Sequence, residues 1–132
     1  MNTDSVLNEI KWDAQGLVTA MAVDHKSGQV VMLAYMNAES LKLTLETGIM
    51  TYYSRSRKKL WLKGETSGNT QKVISLRIDC DGDALLFLVE PQGIGAACHE
   101  GFFSCFFREW NGKDGWTTLG KPLFDPKSVY GN

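Results

Sequence analysis

Val73-Ile74-Ser75-Leu76-Arg77-Ile78-Asp79-Cys80-Asp81-Gly82-Asp83-Ala84-Leu85-Leu86-Phe87-Leu88-Val89 is the stretch that decides how this chain folds. Two runs rich in large apolar residues, Val73–Cys80 and Ala84–Val89, flank an Asp-Gly pair, and that combination predicts a β-hairpin. Pro91, which has no N–H to give a ladder, ends the second strand. The turn is also chemically loaded. Asp79, Asp81 and Asp83 alternate with other residues, and in extended backbone alternate side chains project to one face. Three carboxylates then converge on one hard cation while Cys80 points away. Two other accounts of the same string stand beside this one. A solvated acidic turn needs no ion. An EF-hand is suggested because Asp79, Asp81, Asp83 and Glu90 have the liganding spacing of the calcium loop, although Ala84 stands where that loop needs glycine and the flanks read as strands.

Working outward, Leu17–Val23 and Gln29–Met36 are apolar segments on either side of Asp24-His25-Lys26-Ser27-Gly28. They predict a second hairpin whose second strand is well buried. Asn37 then offers an N-cap, Glu39 lies in the first turn where the dipole favours a carboxylate, and Met36 and Leu41 have the spacing of a hydrophobic staple. Leu41 and Leu45 share a face, and Gly48 supplies a left-handed stop, so one main helix is expected here. Thr51–Ser54 predicts another strand, followed by the basic segment Arg55-Ser56-Arg57-Lys58-Lys59. Trp61–Gln71, rich in Gly, Ser, Thr and Asn, predicts a functional loop. Phe102–Phe107 predicts a last strand, and the 24 residues after Arg108 are too few for another domain. The expected fold class is α+β and β-rich, a single domain over residues 1–132.

Composition narrows the class of function. A chain of 132 residues buries roughly two-thirds of its unfolded surface. Apolar content of 43% with 22% charged residues disfavours disordered and fibrous classes. Fourteen basic against fifteen acidic side chains leave no bulk attraction to nucleic acid or to an anionic membrane. The start, Met-Asn-Thr-Asp-Ser, lacks the basic and apolar parts of a secretory signal. The longest apolar runs, Val30–Met36 and Ala84–Val89, fall far short of the roughly 20 residues that span a bilayer. Three cysteines, an odd number without a signal, point to reduced thiols and a cytoplasmic protein.

Those cysteines need an explanation other than disulfides. Cys80, Cys98 and Cys105 lie within 26 residues, and His99, one of only two histidines, lies among them. Their spacing matches no common zinc finger, and buried inert cysteines are common. Three thiolates are nevertheless the number that leaves zinc a fourth position for water, whereas a closed Cys₃His site would be structural. Strand alternation puts Cys98 and His99 on opposite sides, so His99 is placed to approach the water rather than to close the site. The nucleobase deaminases come to mind through Cys98-His99-Glu100, but their His-x-Glu and Pro-Cys-x-x-Cys signatures are absent. Arg55 and Arg57 fork onto phosphate oxygens, Lys63 offers a point charge, and Trp61 offers a face for a base. Gly64-Glu65-Thr66-Ser67-Gly68-Asn69 supplies amides and hydroxyls but is no Walker loop. A solvated basic turn and a core tryptophan are the bland alternatives.

Taken together and in order, Met32-Leu33-Ala34-Tyr35-Met36-Asn37, Ser54-Arg55-Ser56-Arg57, Leu60-Trp61-x-Lys63-Gly64-Glu65-Thr66-Ser67-Gly68-Asn69, Asp79-Cys80-Asp81-x-Asp83 and Ala97-Cys98-His99-x-Gly101-x-x-Ser104-Cys105-Phe106 resemble the phosphoribosyl-AMP cyclohydrolase family. The likeness runs from about Leu17 to Arg108. It implies the third step of histidine biosynthesis, in which zinc-activated water opens the adenine ring of phosphoribosyl-AMP at the N1–C6 bond without releasing ammonia. It implies zinc on Cys80, Cys98 and Cys105, one ion per subunit, with Cys80 supplied by the opposite subunit. It further implies one magnesium per subunit on Asp79, Asp81 and Asp83, and a compact antiparallel pseudobarrel intertwined as a homodimer. On this footing His99 is the expected proton shuttle. Arg55, Arg57 and Lys63 are expected to hold phosphates, Trp61 to stack on the base, and Glu65, Ser67 and Asn69 to contact ribose. A deaminase-like zinc hydrolase and a non-catalytic zinc-stabilised module are the competing functions.

Overall fold

The computed structural model describes residues 3–127. Along the chain run α1 (Thr3–Asn8), β1 (Val18–Asp24), β2 (Val30–Met36), α2 (Ala38–Thr47), β3 (Thr51–Ser54), β4 (Lys59–Leu62), β5 (Gln71–Ile78), β6 (Ala84–Pro91), β7 (Arg108–Trp110) and β8 (Trp116–Thr118). The first six strands form one curled half-barrel sheet in the order β4-β3-β2-β1-β6-β5. The α+β, strand-rich class expected from sequence is what forms.

The Asp-Gly hairpin is present, with β5 and β6 antiparallel from Gln71↔Pro91 to Ile78↔Leu85. Its first strand begins at Gln71 and stops at Ile78, so Asp79 and Cys80 belong to the turn. The EF-hand is thereby excluded, since strands and not helices flank the acidic string. The first hairpin also forms, β1 against β2. Of its two strands the first is the more buried, because β1 is paired along its length on both sides whereas β2 meets β3 only at Tyr35↔Tyr53. One pairing departs from an antiparallel barrel: β1 and β6 run parallel, from Thr19↔Ala84 to Asp24↔Val89. The intervening chain, through α2, β3, β4 and β5, is long enough to reverse direction before β6 returns.

α2 forms as its caps predict. Asn37 accepts a hydrogen bond from the Ser40 N–H at 2.8 Å, the Ser40 hydroxyl accepts from the Asn37 N–H at 2.9 Å, and Gly48 ends the helix at φ 77°. Inside, Leu41 is fully buried with Val31, Met36, Met50, Tyr52, Phe87 and Val89. The Thr51 N–H donates to the Thr44 hydroxyl at 2.9 Å, tying the helix to β3.

Two further expectations are corrected. The loop expected at Trp61–Gln71 is shorter, because Lys59–Leu62 folds back on β3 (Trp61 opposite Tyr52) and Gln71 opens β5. Lys58, at φ 53°, makes the tight reversal that brings β4 there. Phe102–Phe107 forms no strand. Its backbone groups are used elsewhere: the Phe102 and Phe103 carbonyls accept from Cys98 and Ala97 at 3.0 and 3.1 Å, and the Cys105 N–H donates to Val31 at 2.7 Å. The rings of Phe102 and Phe107 stack at 3.9 Å instead. Finally, α1 and the β7–β8 hairpin were not foreseen. Six residues are too few to show a helical period, and the short ribbon rests on Trp110 packing edge-on against Trp116 at 5.8 Å.

Candidate functional site

The acidic turn brings Asp79, Asp81 and Asp83 together, each with a carboxylate oxygen within 4.8 Å of the others. Strand alternation is not what does it. The turn wraps around Asp79, whose Oδ1 accepts from the N–H groups of Asp83 and Ala84 at 3.0 and 3.2 Å, and Gly82 takes φ 78° to allow it. Hydrogen bonding to Asp79 and then to Asp81 pushes the Asp83 carboxyl up to about 6. Asp79 is held below the ordinary range, chiefly by its bond to Asp83. Three carboxylates so close repel one another, and an oxygen-seeking divalent cation fits the place where they converge. Cys80, between two of them, is exposed.

Cys98 and Cys105 meet elsewhere, beside β2. A turn closes when the Gly101 N–H donates to the Cys98 carbonyl at 2.9 Å. The Ser104 hydroxyl donates to the Val30 carbonyl at 2.7 Å and accepts from the Phe106 N–H, which pins Cys105 beside β2. Desolvation pushes the Cys105 thiol up to about 12, the hydrogen-bonded Cys98 adds to this, and Lys63 pulls the other way. Although Cys105 counts as exposed over the whole residue, this behaviour is that of a thiol largely removed from water. Lys63 is only 4% exposed. Burial lowers its ammonium below the ordinary lysine value, with Cys105 and Cys98 opposing. Such a donor set suits a thiophilic ion, which displaces both thiol protons. Within one chain Cys80 does not join them: among the described residues the acidic triplet is the only group of three such ligands so close together.

A cleft of about 820 Å³ opens beside Cys105. Of the residues singled out in the sequence, Arg57, Trp61, Lys63, Glu65, Ser67 and His99 line it. Arg55 does not; it lines a second, shallower cleft with Lys58, and its guanidinium lies 4.0 Å from the Tyr35 ring centre. Asn69 is buried, and its Oδ1 accepts from the Ile94 N–H at 3.0 Å. Its side chain therefore clasps two loops together. Behind Cys105 lies a pair that sequence reading missed. The Tyr52 hydroxyl, its ionisation suppressed by burial and then by Cys105, donates to Gln71 Oε1 at 2.7 Å. Gln71 Nε2 is buried with no hydrogen-bond partner among the described residues. Tyr52 and Gln71 lie 19 positions apart, and no local pattern joins them.

The family model for phosphoribosyl-AMP cyclohydrolase matches residues 32–107, a span that contains the cleft, both cysteines of the thiol pair and the acidic turn. A protein of that name from Chromobacterium violaceum is 56% identical over 126 residues, covering 96% of this chain and 94% of its own length. Another from Granulibacter bethesdensis is 56% identical over 128 residues, covering 96% and 98%. A third, from Neisseria gonorrhoeae, is 51% identical over 128 residues, covering 97% and 96%. The chain belongs to the phosphoribosyl-AMP cyclohydrolase family, an enzyme family.

Proposed function

We propose that this protein hydrolyses the adenine ring of phosphoribosyl-AMP, the third step of histidine biosynthesis. The observation that carries the reading is the pairing of Cys98 with Cys105 at the mouth of a cleft that also holds His99, Trp61 and Arg57. The substrate is an adenine alkylated on N1, so its ring is cationic and C6 is electrophilic. Opening requires a C6–O bond to form from water, the C6–N1 bond to break, and N1 to leave with a proton. Cys98 and Cys105, with Cys80 of the partner subunit, would hold a zinc ion, whose chemistry would be to supply a nucleophile at neutral pH by lowering the pKa of water to about 7. His99 carries the proton to N1, as an imidazole exchanges protons near neutrality.

The remaining residues bind and orient. Trp61 gives the base a face, Arg57 meets a phosphate in the main cleft, and Arg55 meets the other phosphate across the basic turn. Glu65 and Ser67 stand within reach of ribose hydroxyls along the cleft wall. Asp79, Asp81 and Asp83 suit magnesium, whose ligands are carboxylate oxygens. Because Asp79 and Asp81 flank Cys80, a Cys80 that crossed to a second subunit would bring these carboxylates with it, and the active unit is then a homodimer.

The test is incubation of the purified, zinc-analysed protein with phosphoribosyl-AMP, following ultraviolet absorbance and ammonia together. Ring opening without ammonia is expected. Ammonia release would mean a deaminase, and no change in a zinc-replete protein would remove the proposal.

A further inference from the structure

The main cleft is lined by segments far apart in the chain: Glu65, Thr66 and Ser67 come from one, Ala97 and His99 from another. Asn69 ties the two together. It is only 4% exposed and does not line the cleft, and its Oδ1 accepts from the Ile94 N–H at 3.0 Å. Beside it the Thr70 carbonyl accepts from the Gln92 N–H at 2.8 Å, and the Thr70 hydroxyl donates to Gln92 Oε1 at 2.6 Å. Gly93 closes the clasp at φ 68°, where a Cβ would lie 2.5 Å from Asn69 Oδ1 and 2.8 Å from the Gly68 carbonyl oxygen. Each end of the clasp runs straight into the cleft lining. On one side the Gly68 N–H donates to the Gly64 carbonyl at 2.8 Å and the Asn69 N–H to the Ser67 hydroxyl at 3.1 Å. On the other, Ile94 leads through Gly95 to Ala96 and Ala97, both buried, with the Ala97 N–H bonded to the Phe103 carbonyl at 3.1 Å.

A substrate held between two segments is oriented only as well as their separation is fixed. We infer that Asn69 is a positioning residue for the proposed ring opening: its side chain fixes the Glu65–Ser67 segment relative to His99. A ribose held by the first segment is then placed so that N1 meets the imidazole. This assignment rests on the proposed function of the cleft. It moves Asn69, expected from sequence to touch ribose, one step away from the substrate. It also gives Gly93 a reason, since a side chain there would push the Asn69 amide out of its bond.

Steady-state kinetics, expressed per folded and zinc-replete chain, test the inference. Asn69→Ala is expected to lower kcat about 10–100-fold, the scale of a displacement of about 1 Å at reacting groups, with a smaller rise in KM. Asn69→Asp, which keeps the acceptor oxygen, should recover most of that loss. Gly93→Ala, outside the cleft lining, should reproduce it, and the double variant Asn69→Ala/Gly93→Ala should lose little more than either alone, because both break one contact. Hydrogen exchange at the Ile94 amide reads the clasp without turnover and should quicken in Asn69→Ala but not in Asn69→Asp. Thr44→Ala is the structural control: it removes the buried bonds between α2 and β3, and should lower the urea midpoint with kcat unchanged. If Asn69→Ala fails to fold by far-ultraviolet circular dichroism, Gly93→Ala decides, and an intact kcat there overturns the inference. A lowered urea midpoint in Asn69→Ala with kcat and KM unchanged would leave Asn69 as structural support only and overturn it. A rise in KM alone, absent from Gly93→Ala, would make Asn69 a ribose contact and overturn it equally. Wild-type protein that does not open phosphoribosyl-AMP would remove the proposed function and this inference together, whereas failure of the variants in an active wild type removes the inference alone.

Discussion

His99 shows how far one position in the chain can decide chemistry. It follows Cys98 directly, yet it lines the cleft and is exposed, while Cys98 is buried against Cys105. A side chain on the open side of a metal site can move protons without contributing a ligand. His99→Ala is therefore expected to keep its zinc, by elemental analysis, and to lose about 10²–10⁴-fold in turnover. Loss of the metal with the imidazole would instead make His99 a fourth ligand and the site a closed, structural one. The acidic turn separates from the thiols in the same way. Asp81→Asn removes one of three converging carboxylates, so the magnesium concentration needed for half-maximal activity should rise while zinc content stays near one per chain. Zinc falling together with magnesium dependence in a folded variant would show that the two ions share ligands.

At the scale of elements, the β1–β2 hairpin is held by its own turn. Asp24 ends β1, and its Oδ2 accepts from the Ser27 hydroxyl at 2.7 Å and from the Ser27 N–H at 3.2 Å. Burial alone would raise its pKa; the Ser27 and Lys26 hydrogen bonds and His25 outweigh that and leave it below the ordinary value. A depressed carboxyl binds fewer protons folded than unfolded, so its contribution is present above the unfolded pKa and is lost as pH falls through the folded one. Urea midpoints of the wild type should accordingly drop below about pH 4, and Asp24→Asn should lower the midpoint at neutral pH and flatten that acid limb. An unchanged limb would mean that the turn bonds do not favour the charged carboxylate. Elements of this local kind were legible in the sequence: Asn37 and Gly48 bound α2, and Asp-Gly marks the β5–β6 turn, because each signal acts within a few residues. What was not legible depends on distant partners. The parallel register of β1 on β6 joins residues some 65 positions apart (Thr19 with Ala84). The aromatic run Phe102–Phe107 has strand composition, but Val30 and Val31 claim the hydrogen bonds of Ser104 and Cys105. Lys63 read as a phosphate contact, and nothing near it in sequence reveals that the fold leaves the residue only 4% exposed.

For the whole molecule the open question is how many chains build one site. Cys80 sits on an exposed turn, outside the thiol pair of its own chain, so the proposed three-thiolate site calls for a second copy. Two-fold symmetry makes that claim countable. Cys80→Ala and Cys98→Ala homodimers should each be inactive, since every site in either lacks a ligand. In a mixed dimer, one site draws its Cys98 from the Cys98→Ala chain and its Cys80 from the Cys80→Ala chain, and carries both lesions. The other draws the intact residue from each and is wild type. Unfolding the two variants together and refolding equal amounts makes about half the dimers mixed, each with one of two sites intact. Activity and tightly held zinc should therefore both return to about a quarter of the wild-type level. If all three cysteines served one chain, every site in the mixture would still lack a ligand. Mixed dimers confirmed by mass, with neither zinc nor activity restored, would rule out the shared site and leave Cys80 outside the metal centre.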